Sequence, residues 1–240
     1  MKLIFIRHAD PDDDNNKLTE VGINEAKILG EYLKDLKFDS IYTSPYPRAK
    51  LTALEIMKYH EEEKLIDKEW LHEFDYCVDL PYEKNHITWD MYPDFYVNNL
   101  EFYDVNKYLD LPYYKKVGIK EKYLNVVNEF DEVLRENGYV RNNNLYETGQ
   151  GNKKVLVFVL HFGLMCVLMS HLMNIPYSLL ANTMICPPTG ITTFYSEERK
   201  EGQVRFRCNG FGDISHLSIK GVKPSFHGRF CEIFYSNERH

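Results

Sequence analysis

At 240 residues with 44% hydrophobic side chains, the chain suits one large domain or a domain with an insertion, with apolar mass enough to fill its core. Its 29 basic against 36 acidic side chains give a net charge of -7, which argues against broad nucleic-acid or anionic-membrane binding and confines any anionic ligand to a local cluster of basic groups. Five scattered cysteines, Cys77, Cys166, Cys186, Cys208 and Cys231, include no Cys-x-x-Cys pair and read as free thiols of a reducing compartment.

The chain opens with "MKLIFIRHAD", an apolar run from Lys2 to Ile6 that reads as a buried strand delivering Arg7 and His8 at its end. Only four apolar residues separate Lys2 from Arg7, too few for a signal-peptide core, so a cytoplasmic protein is expected. "DPDDDNN" is an acidic, turn-rich loop. Thr19 then stands as an N-cap before Ile23, Ala26, Leu29, Leu33 and Leu36, spaced as an amphipathic helix. "FDSIYTS" reads as a second strand ended by Pro45, and Arg48 through Ala53, Ile56 and Met57 as another helix with Arg48 in its first turn. The order strand, helix, strand, helix predicts an α/β fold with a mainly parallel sheet and right-handed crossovers.

From Tyr76 to about Lys120 aromatic residues crowd the chain without a clean period, among them Tyr82, Trp89, Tyr92, Phe102 and Tyr114. This predicts an insertion of short helices, either a second small core or a cap over a ligand crevice. A firmer helix follows from about Glu121 to Arg135, then a polar loop, "ENGYVRNNNLYETGQGNKK". Between Lys154 and Glu197 there is no Asp, Glu, Lys or Arg, and "VLVFVLHFGLMCVLMSHLM" imitates a membrane helix. His161, Gly163, Ser170 and His171 within it, and Pro176 closing it, favour a buried strand, Val155 to Leu160, and its packed helix. "GITTFYS" and "QVRFRCNG" alternate as an antiparallel hairpin.

Two histidines thus stand in equivalent places, His8 and His161, each just after a strand. In open α/β sheets ligands gather at the carboxyl ends of strands, so both point toward one crevice, and Arg48 can enter it. Two guanidiniums and two imidazoles converging there suit a tetrahedral dianion, because arginine pairs bidentately with phosphate oxygens.

The strings "RHAD", "SPYPRAKLTA", "LHE", "VLHFGLM" and "NGFGDISHL" resemble, in order, the motifs of the histidine phosphatase superfamily, the phosphoglycerate-mutase-like fold. They run from residue 5 to residue 217, and the aromatic insertion is the exception. The resemblance implies a single domain, residues 1–240, with a cap-like insertion at about 76–120. It makes His8 the nucleophile of a phosphohistidine intermediate and Arg7, Arg48 and His161 the phosphate pocket, with a backbone N–H at Phe162 as a further donor. Glu73 in "WLHEF" takes the place of the proton donor, with Asp75 its competitor. Ala9 stands where the family has Gly. Asn15 and Asn16 align with no phosphate contact, His216 fits a structural hydrogen bond, and His72 fits the surface.

The function expected is therefore a metal-independent phosphomonoesterase acting on a small phosphorylated molecule, with no cofactor and no nucleic-acid or membrane partner. A phosphoglycerate-type mutase is the alternative, disfavoured by the short loop after Asp10 and the large insertion. A non-catalytic phosphate-binding module is disfavoured by the full set of site residues. A metal hydrolase lacks its signature: no His-Glu-x-x-His string occurs, and His161 and His171 are ten positions apart.

Overall fold

In the computed structural model, which describes residues 1–239, strands Lys2–Arg7 and Val155–Leu160 run parallel, Leu3 beside Leu156 and Phe5 beside Phe158. They form the centre of an eight-stranded mixed sheet. Ser40–Thr43 and Leu65–Asp67 extend the parallel half beyond Val155–Leu160. On the far side of Lys2–Arg7 the sheet turns antiparallel through Ile191–Lys200, Gln203–Asp213, Leu145–Glu147 and Val140–Asn142. Parallel pairing is thus confined to half of the sheet, and that half carries the strand ends of interest.

Alternate residues of a strand face opposite ways. Leu3, Phe5, Leu156, Phe158 and Leu160 enter one apolar cluster with Phe130 and Leu164, beneath helices Ile119–Glu136 and Phe162–Met173. Ile4, Ile6, Val157 and Val159 enter a second with Leu29, Leu33, Ala53 and Ile56, beneath helices Glu20–Leu33 and Pro47–Met57. With helices on both faces, these strands have no solvent side and carry no alternating polar residues. The charge-free run after Lys154 has the same cause. Helix Phe162–Met173 buries Gly163 through Ser170, and it stops where Asn174 takes the left-handed conformation (φ 58°). Among the described residues no helix is long and apolar enough to cross a membrane.

Three expectations need correction. The segment expected to be a wholly polar loop folds in part as the edge hairpin Val140–Asn142 and Leu145–Glu147, turning at Asn143 (φ 52°). Strands of three residues are too short to show a period of two. The late hairpin is longer than its alternating core: Ile191–Lys200 and Gln203–Asp213 absorb "NGFGD" through register shifts near Thr193. The insertion mixes helices Pro93–Asn98 and Pro112–Lys115 with a two-stranded ribbon, Cys77–Val78 and His86–Ile87. Its Phe102, Tyr108, Leu111 and Tyr114 join the same cluster as Phe5 and Phe158, so it is not a separate second core.

Candidate active site

Arg7 ends the first strand and His8 follows it, both buried, because the chain must leave the sheet while its flanks remain packed. Ala9 is fully buried against Leu18 and Ala26, so its methyl sits in a small apolar pocket. The Ala9 N–H donates to Thr52 Oγ1 (3.0 Å), which ties this turn to helix Pro47–Met57. The turn leaves the Ala9 carbonyl 2.8 Å from His8 Nδ1. A carbonyl only accepts, so Nδ1 carries the proton and Nε2 keeps its lone pair. Arg48, the second residue of its helix, donates Nε–H to that Nε2 at 3.3 Å and lies over the Tyr46 ring.

His161 caps helix Phe162–Met173, with its ring centre 5.0 Å from that of His8. Its Nε2 is 2.8 Å from the Ser44 hydroxyl. That hydroxyl accepts the Tyr46 N–H (3.2 Å), so its own proton is available for His161 Nε2. Nδ1 is left buried with no partner among the described residues, and it carries the proton when Ser44 donates to Nε2. Burial first, then the other basic groups of the site, hold both imidazoles well below the ordinary histidine range; after burial the largest cause is His161 for His8 and Arg48 for His161. Both are neutral at pH 7.

Arg7 donates Nη1–H to the carbonyls of Cys186 (2.6 Å) and His227 (3.1 Å). Its Nε–H is buried with no partner among the described residues. Glu73 is buried next to the start of helix Phe162–Met173, and its Oε1 accepts the N–H groups of Phe74 (2.8 Å) and Leu164 (3.0 Å). Those bonds and the two arginines favour the carboxylate, yet burial outweighs them and pushes the carboxyl up to about 7. Asp75, the competitor, is exposed.

Arg7, His8, Arg48, Glu73 and Phe162 line a single cavity of about 840 Å³, which Asp75 and Trp89 also border. His161 sits behind it, fully buried. Asn15 and His72 lie elsewhere: Asn15 is bonded to Asp12, and His72 donates Nδ1–H to the Glu73 carbonyl (2.8 Å) and faces Tyr46. His216 bonds Thr189 Oγ1 at 2.9 Å, outside the cavity lining. Tyr92 is exposed and stacks on Tyr82. Among the described residues no group of three or more His, Cys, Asp or Glu is placed to hold a metal ion.

Sequence reasoning passed over three contributors. Thr189 is a β-branched residue at φ 58°, and its N–H reaches the carbonyls of both Arg7 (3.1 Å) and His8 (3.2 Å). Only the Pro-Pro-Thr-Gly turn composition hinted at it. Gly163 has no room for a side chain, since a Cβ would stand 2.4 Å from the Trp89 ring. The carboxyl-terminal segment crosses the site: Ser225 donates to Glu25 Oε1 (2.9 Å) and Asp10 Oδ1 (2.6 Å), which places His227 and Gly228 against Arg7. That segment has no helical or strand period to reveal it.

The family model of the histidine phosphatase superfamily (branch 1) matches residues 3–209. The chain belongs to that superfamily. Over 48 residues this superfamily member is 44% identical to a 2,3-bisphosphoglycerate-dependent phosphoglycerate mutase from Chlamydia abortus, a match spanning 20% of this chain and 21% of the mutase. A second such mutase, from Chlamydia felis, is 42% identical over the same length. The match thus spans about a fifth of each curated relative. Among solved structures, a mutant phosphoserine phosphatase from Entamoeba histolytica in complex with phosphoserine superposes with a TM-score of 0.58 at 20% identity, covering 90% of this chain and 98% of that one. A mycobacterial glucosyl-3-phosphoglycerate phosphatase gives 0.53 at 16% identity, covering 87% and 97%. At such identities the likeness is one of fold.

Proposed function

We propose that this histidine phosphatase superfamily member is a phosphomonoesterase that works through phospho-His8, without a metal, on a small phosphorylated organic molecule. The observation that carries the reading is the state of His8: a neutral imidazole on the cavity whose Nδ1–H is spent on the Ala9 carbonyl, which leaves Nε2, accepting the Arg48 Nε–H, as the ring's basic nitrogen. That is the atom and protonation state a nucleophile needs.

In the first step Nε2 attacks phosphorus and the bond from phosphorus to the ester oxygen breaks. Arg7 and Arg48 meet the charge on the equatorial oxygens, His161 supports them from behind the cavity through Nδ1–H when Ser44 donates to its Nε2, and the start of helix Phe162–Met173 adds its N–H at Phe162. Glu73, at about 7, still holds a proton for a good part of the population at neutral pH and passes it to the departing alkoxide. In the second step water attacks phosphorus and the phosphorus–nitrogen bond breaks; Glu73 takes the water's proton, inorganic phosphate leaves, and His8 is restored. The cavity has room well beyond a phosphate, so an organic leaving group fits.

The similar proteins are named as a phosphoserine phosphatase, a glucosyl-3-phosphoglycerate phosphatase and a phosphoglycerate mutase, which supports a search among small phosphorylated acids and sugars. A panel of such metabolites, assayed for inorganic phosphate with chelator present, tests the proposal. Phosphate release that survives chelator and vanishes in His8→Ala supports it. Transfer of the phosphoryl group back to an organic acceptor without phosphate release would instead make the protein a mutase.

A further inference from the structure

The insertion bears on the proton donor through one side chain. A point 1.5 Å or so above the Gly163 backbone, where a Cβ would lie, is 2.4 Å from Trp89 Cζ3, 2.7 Å from Trp89 Cε3 and 2.9 Å from Glu73 Oε1. The edge of the indole and the carboxylate oxygen therefore share the space above one glycine. Trp89 is half-buried and lines the cavity.

Its backbone is fixed on both sides. Thr88 is buried, its hydroxyl 2.9 Å from the Tyr177 hydroxyl and its carbonyl accepting from Asn182 Nδ2 (3.2 Å). Met91 N–H donates to Asn182 Oδ1 (2.9 Å), and the Asp90 carbonyl is 2.7 Å from His86 Nε2. Asn182 is itself anchored to the Ser178 carbonyl (2.8 Å). A backbone held this firmly on both sides of Trp89, with a glycine cleared to receive its ring at a helix start, makes a built contact.

We infer that Trp89 is a positioning residue for the proton donor: its indole, seated on Gly163, walls the Glu73 carboxyl from the water of the cavity. This deepens the proposed function and rests on the assignment of Glu73 as the donor. The groups that face Glu73 divide cleanly. Arg7 and Arg48, with the N–H groups of Phe74 and Leu164, favour its carboxylate. Tyr46, Cys166 and Tyr177 are neutral neighbours near it. Removing the indole admits water and shrinks the burial effect while the arginines and amides stay in place. The carboxyl's titration midpoint must then fall, and the donor spends less of its time protonated at neutral pH.

Carbon-13 NMR of the whole protein with carboxyl-labelled glutamate measures that midpoint without any substrate, the Glu73 signal being assigned by its loss in Glu73→Gln. In the parent protein the midpoint is expected near 7. In Trp89→Ala it falls by about one pH unit, and Trp89→Phe, which keeps an aromatic edge, lies between. Where alkyl and nitrophenyl phosphates are turned over, Trp89→Ala also moves the alkaline limb of kcat/KM for the alkyl ester to lower pH. An unchanged midpoint in Trp89→Ala, or in Trp89→Phe should the alanine variant fail to fold, overturns the inference. The donor assignment fails separately: Glu73→Gln would then turn over alkyl phosphates as fast as the parent, whatever the midpoints show.

Discussion

At the scale of single residues, Glu73 and Asp75 illustrate what burial decides. Both carboxyls border the cavity, but Glu73 is buried and Asp75 is exposed. Glu73→Gln is expected to slow alkyl phosphates far more than nitrophenyl phosphate, whose phenolate departs with little protonation. The parent's activity on alkyl esters is expected to fall as pH rises through about 7. A steady-state comparison of the two substrates in both variants checks this, and the same signature in Asp75→Asn alone would move the role by two residues. Truncation of Arg7, Arg48 or His161 to Ala is expected to lower kcat/KM by about 10²- to 10³-fold each, the cost of one lost donor to a developing oxyanion. The buried groups also fix the sign of stability against pH. His8 and His161 have folded pKa values below their unfolded ones, so the unfolded chain binds more protons in that window and stability is lost as pH falls below about 6.5. Glu73 has the opposite sign: its folded value is raised, so the native state binds more protons between about 4.5 and 7 and stability falls as pH rises through that range, by roughly 3 kcal/mol at most. Urea titrations of Glu73→Gln at pH 5 and pH 8 are expected to show less of that decline than the parent.

At the scale of elements, helix Phe162–Met173 joins the site to the insertion. Its start presents N–H groups to Glu73 and the cavity, and Gly163 there accepts the Trp89 ring. Gly163→Ala places a methyl 2.4 Å from that ring, and crowding in a packed setting costs about 1–3 kcal/mol. Thermal unfolding is expected to show that loss together with a fall in activity; a variant as stable and as active as the parent would mean the 88–91 turn yields easily. The helix was legible because its apolar letters follow a strand-end histidine. The parallel strands Lys2–Arg7 and Val155–Leu160 were legible for a related reason: strands covered on both faces must be apolar throughout. The edge hairpin of Val140–Asn142 and Leu145–Glu147 was not, since three-residue strands leave no pattern. Neither was the role of Thr189, whose left-handed backbone is imposed by two carbonyls far from it in sequence. Trp89 stood out as an aromatic of the insertion, but only the fold shows it on the cavity while Tyr92 stacks on Tyr82 at the surface.

At the scale of the whole molecule, the sheet gathers groups from residues 7 to 228 around one cavity. The order of strands explains why that works: Lys2–Arg7 and Val155–Leu160 are neighbours, so His8 and His161 leave adjacent strand ends and stand 5.0 Å apart. That pairing could be anticipated from two similar strand endings. The closing segment near His227 could not, because it is held by Asp10, Glu25 and Arg7 rather than by any pattern of its own. The central claim, a phosphoryl group carried on His8, has one direct measurement. Once a substrate is in hand, the protein is mixed with its phosphorus-32 form, quenched within a turnover in base, and the labelled peptide mapped. The account predicts acid-labile, base-stable label on His8 and none in His8→Ala. Turnover with no protein-bound phosphate on that timescale, or label on another residue, would contradict it.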